Sequence, residues 1–67
     1  MKAILGISAF YHDSAACVLI DGKIIAAAQE ERFTRIKHDS SYPKNAIDFV
    51  LNFSKIQLHE VDKIVFF

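Results

Sequence analysis

Tryptophan is missing from the 67 residues, and there is only one cysteine, one proline and two glycines. A lone cysteine excludes an internal disulfide, and with it the stapled scaffold of small secreted chains. Net charge is missing too, because eight Lys+Arg stand against eight Asp+Glu. That balance argues against nucleic acid as a main partner, which requires a basic excess. No stretch approaches the ~20 apolar residues that span a bilayer. The opening Met1-Lys2-Ala3-Ile4-Leu5 lacks a signal-peptide layout, since Asp13 interrupts any apolar core and no cleavage site follows. The expectation is a protein of the reducing cytoplasm with no membrane partner. What the chain has is apolar content, 52% of its residues. With zero net charge this excludes a disordered tail. The length allows one small domain, which hides only roughly 60% of its unfolded surface.

Ala3 to Ser8 is short, apolar and β-compatible, and Gly6 within it marks a place where a backbone or ligand comes close. Phe10-Tyr11-His12-Asp13-Ser14 breaks the run with turn-forming side chains. Ala15 to Ile20 is apolar on both alternating faces, which predicts a strand covered on both sides. Asp21-Gly22 supplies the positive φ angles of a two-residue type I′ turn, folding that strand back onto Lys23 to Gln29. Glu30 to Tyr42 reads as a polar loop with room for one helical turn. Ser40-Ser41-Tyr42-Pro43 reads as a helix start, with a serine cap and proline in the first turn. Ala46, Ile47, Val50, Leu51 and Phe53 give a helical apolar face that Phe49 widens, fading at Phe53 to Lys55. Ile56 to Val61 is a connector, and Asp62 leads into a last strand, Lys63 to Phe67. The order β-β-β-α-β predicts an α/β fold with a mixed sheet. The apolar finish at Phe67 without a cap reads as a truncation inside a larger protein.

His12 is the foremost candidate for chemistry. An unperturbed imidazole, with a pKa of about 6.5, accepts a proton from a hydroxyl at neutral pH. His12-Asp13-Ser14 is not a triad, because three adjacent loop residues do not align as nucleophile, base and orienter. His12-Asp13 and His38-Asp39 together invite a divalent metal, but they lack helical spacing that would aim them at one ion. His59 reads as plain surface. Arg32, Arg35 and Lys37 form a basic cluster suited to phosphate or carboxylate, with Glu30, Glu31 and Asp39 placed to neutralise it. Cys17, between apolar neighbours, reads as core filler. The strand-turn-strand opening also fits a hairpin that brings backbone donors to an anion.

Gly6-Ile7-Ser8-Ala9-Phe10-Tyr11-His12-Asp13-Ser14-Ala15-Ala16 resembles the opening of the O-carbamoyltransferases of the nodulation and antibiotic-tailoring type. Ala26-Ala27-Ala28-Gln29-Glu30-Glu31-Arg32-Phe33-Thr34-Arg35 is similar to their next block. Lys37-His38-Asp39 and Tyr42-Pro43-Lys44-Asn45-Ala46-Ile47 follow in the same order. The likeness runs from Ile4 to about Leu51. Ile36 departs from it where a basic residue is common, and Tyr42 where phenylalanine is.

The resemblance implies that residues 1–67 are the leading part of a long cytoplasmic enzyme. Its first domain would have the actin, Hsp70 and sugar-kinase type of ATPase fold, ribonuclease H-like in topology, with strand order 3-2-1-4. A second domain, absent here, would use ATP to turn carbamoyl phosphate into carbamoyl-adenylate. The first domain would then pass the carbamoyl group to a hydroxyl of a sugar or natural product. His12 matches the family's proposed base on that hydroxyl, Asp13 would orient it or meet substrate, and Lys37 would face an anion. The family's divalent, iron-type metal ligands would lie beyond Phe67, so residues 1–67 should bind neither metal nor ATP alone and should be inactive. Two other readings stay open: an ATPase-fold small-molecule kinase with Asp13 poised for Mg²⁺, and a free-standing module that pairs by strand edges. In any of them the last strand would be an exposed apolar edge inviting self-association.

Overall fold

A computed structural model describes residues 2–9, 13–37 and 40–66. Four strands form one sheet: β1 (Ala3–Ser8), β2 (Ala15–Ile20), β3 (Lys23–Gln29) and β4 (Lys63–Phe66), in the order β3-β2-β1-β4. β1 runs antiparallel to β2, with Ala3 opposite Ile20 and Ser8 opposite Ala15. β4 runs parallel to β1, with Ile4 opposite Lys63 and Ile7 opposite Phe66. A parallel neighbour needs a crossover. Here it consists of α1 (Glu31–Thr34), α2 (Lys44–Ser54) and a 3₁₀ turn at Leu58–Glu60. The α/β class, the mixed sheet and the 3-2-1-4 order are those expected. The single turn α1 falls inside the expected loop, and the 3₁₀ turn falls inside the expected connector.

The β2–β3 hairpin turns where the Asp-Gly step requires. Asp21 has φ 51° and Gly22 φ 83°. Nothing lies within 4 Å of a Cβ placed at Gly22, so backbone conformation and not space demands glycine there. Asp21 also holds the start of β1. The Lys2 amide donates to Asp21 Oδ1 at 2.9 Å, and the Asp21 amide donates to the Lys2 carbonyl at 2.9 Å. Asp62 does the same from the other flank. The Ala3 amide donates to Asp62 Oδ2 at 2.7 Å, and the Asp62 amide to the Ala3 carbonyl at 2.8 Å. Between Val18 and Leu19 the β2–β3 register shifts. Leu19 pairs with Ile24 and Val18 with Ala26, leaving Ile25 as the extra residue of a bulge.

One face of the sheet is covered. Ala3, Leu5 and Ile7 of β1, Ala16 and Val18 of β2, and Ala26 and Ala28 of β3 join Ala46, Ile47 and Val50 of α2 in the core, with Ile56. α2 packs on β2 and β3. The alanines beneath it leave room for the helix to lie close, and Val50 seals the seam with no exposure at all.

Three expectations need correction. Cys17 is half-exposed, not core. It pairs with Gly6 and Ala27 on the opposite sheet face, which no described helix covers. Phe53 is 61% exposed. It belongs instead to a row of rings, with Phe33 to Phe49 at 5.7 Å and Phe49 to Phe53 at 6.0 Å between centroids. Finally, α2 starts at Lys44 with Pro43 as its N-cap and no side-chain cap from that position. The proline therefore precedes the first turn instead of entering it, and no serine occupies the capping position.

Candidate functional site

Of the candidate residues, the structure places Asp13 just before β2 and Lys37 after α1. His12 lies outside the described residues, as do Tyr11, His38 and Asp39. Asp13 is half-buried just before β2, with its backbone at φ 55°. Aspartate tolerates this left-handed conformation better than most residues, because its short polar side chain can bond locally. Ser14 next to it is fully buried, and its Oγ has no hydrogen-bond partner among the described residues. Lys37 is exposed, past α1 and its left-handed C-cap Arg35.

The residue that organises this region is Glu30, read from the sequence only as a neutraliser of nearby arginines. It is 2% exposed, and its polar groups reach three segments. Its amide donates to the Ser14 carbonyl at 2.8 Å, holding the entrance of β2. Its carbonyl accepts from the Phe33 amide at 2.9 Å and the Thr34 amide at 3.1 Å, which starts α1. Its carboxylate turns into the N-terminus of α2. Oε1 accepts from the Ala46 amide at 2.8 Å, and Oε2 from Asn45 Nδ2 at 2.8 Å and the Asn45 amide at 3.4 Å. The first turn of α2 contains no acidic residue of its own. Glu30 therefore supplies both the missing acceptors and the negative charge that a helix N-terminus favours. An ionised group can be buried here because it is multiply hydrogen-bonded. The expected neutralising role is thus corrected: this carboxylate is committed to the helix.

The basic cluster is also partly committed. The Arg32 guanidinium sits 5.8 Å from the centroid of the Phe49 ring, a cation–π distance. On the uncovered sheet face Gly6, Ala15, Cys17 and Ala27 floor a depression of about 520 Å³, with Gln29, Glu31 and Arg32 along one side. Among the described residues no three His, Cys, Asp or Glu side chains converge to hold a metal ion. Among them, too, no helix is long and apolar enough to cross a membrane.

The fold defines a small mixed α/β unit, and comparison with known proteins sets it in a family. The sequence model described as Carbamoyltransferase N-terminus matches residues 3–67. The chain belongs to that family. A protein of the cyanobacterium Synechocystis is 60% identical over 67 residues, covering 100% of this chain and 11% of the relative. The nodulation protein NolNO of Sinorhizobium fredii is 41% identical over 58 residues, 87% of this chain and 8% of the relative. A 19.2 kDa protein of Rhizobium etli is 38% identical over 60 residues, 90% of this chain and 35% of the relative. The chain thus spans a small share of the length of these relatives.

Proposed function

We propose that residues 1–67 are the leading part of a longer cytoplasmic carbamoyltransferase, in which they form the start of an ATPase-type, ribonuclease H-like domain. The observation that carries this reading is the family match over residues 3–67, beside 41% identity to a nodulation protein. The β3-β2-β1-β4 sheet with its helical crossover is compatible with such a domain. The reaction is transfer of a carbamoyl group, activated from carbamoyl phosphate with ATP, to the hydroxyl of a sugar or other small molecule.

In that reaction the acceptor oxygen attacks the carbamoyl carbon, the bond from that carbon to the adenylate oxygen breaks, and the acceptor's proton passes to a base. His12 is the proposed base, because an alcohol is a poor nucleophile unless its proton is removed as it attacks. Asp13 and Lys37 are the proposed contacts to substrate. Activation belongs to a second domain outside this chain. The divalent iron-type metal expected for the family would be held by residues outside this chain.

The test is product formation by a full-length protein carrying this segment. His12→Asn keeps a polar side chain of similar size and should lower transfer by about 10²- to 10⁴-fold, the range for a general base. Transfer at the wild-type rate in His12→Asn would remove His12 from the mechanism.

A further inference from the structure

We draw no further inference here: the strongest candidate, the depression on the sheet face opposite α2 floored by Gly6, Ala15, Cys17 and Ala27, is an unpartnered apolar face, and nothing in the structure shows what covers it.

Discussion

At Gly22 the backbone stands at φ 83° in open space. Gly22→Ala should lower stability by about 1 kcal/mol, the cost of a left-handed L-residue without any clash. A urea midpoint for the 67-residue chain checks this, and an unchanged or higher midpoint contradicts it. Ser14 gives the opposite sign. Its hydroxyl is buried without a partner among the described residues, so Ser14→Ala should leave stability unchanged or raise it by about 1 kcal/mol. A fall in the midpoint would show that the hydroxyl makes a bond the fold depends on. These two residues also mark what was legible in the sequence. The Asp21-Gly22 turn is set by two adjacent residues, so local reading sufficed. The burial of Ser14 is a tertiary property, and no local pattern carries it.

Among the elements, α2 shows the same division. Its buried stripe, Ala46, Ile47 and Val50, follows helical periodicity and was readable. Its start was misplaced because serines before a proline are a local cap signal, whereas the actual acceptors come from Glu30, 16 residues earlier in sequence than Ala46. Its end shows no glycine signal, because Lys55 takes the left-handed position at φ 59°. The Lys55 amide reaches the Asn52 and Leu51 carbonyls, and the Ile56 amide reaches the Leu51 carbonyl at 3.2 Å. Lys55→Gly should therefore stabilise the helix end by about 1 kcal/mol. Slower hydrogen exchange in the last turn of α2 checks it, and faster exchange contradicts it. The bulge at Ile25 was not readable either. Two consecutive isoleucines fit an unbroken strand equally well, and only the pairing with Val18 and Leu19 reveals the extra residue.

For the whole molecule, the unequal covering of the sheet is the main consequence. α2 lies on one face, while Cys17 and Ala27 are left accessible on the other. β4 stands at the end of the sheet with Ile64, Val65 and Phe66 exposed by 49%, 41% and 63%. An apolar edge of this kind pairs with other chains. We propose that the 67-residue chain self-associates through β4, and that Val65→Lys weakens the association. Sedimentation velocity should show mass rising with concentration in wild type and less so in the variant. A monomer at every concentration, with cooperative unfolding, contradicts this.

The central claim concerns the chemistry of the longer protein. Its most direct test is pyrophosphate release from ATP by the full-length enzyme, with and without carbamoyl phosphate. The account predicts release that depends on carbamoyl phosphate and persists in His12→Asn, since the proposed role of His12 is confined to the later transfer to the acceptor. Wild-type protein that releases no pyrophosphate when carbamoyl phosphate is added would contradict the carbamoyltransferase reading.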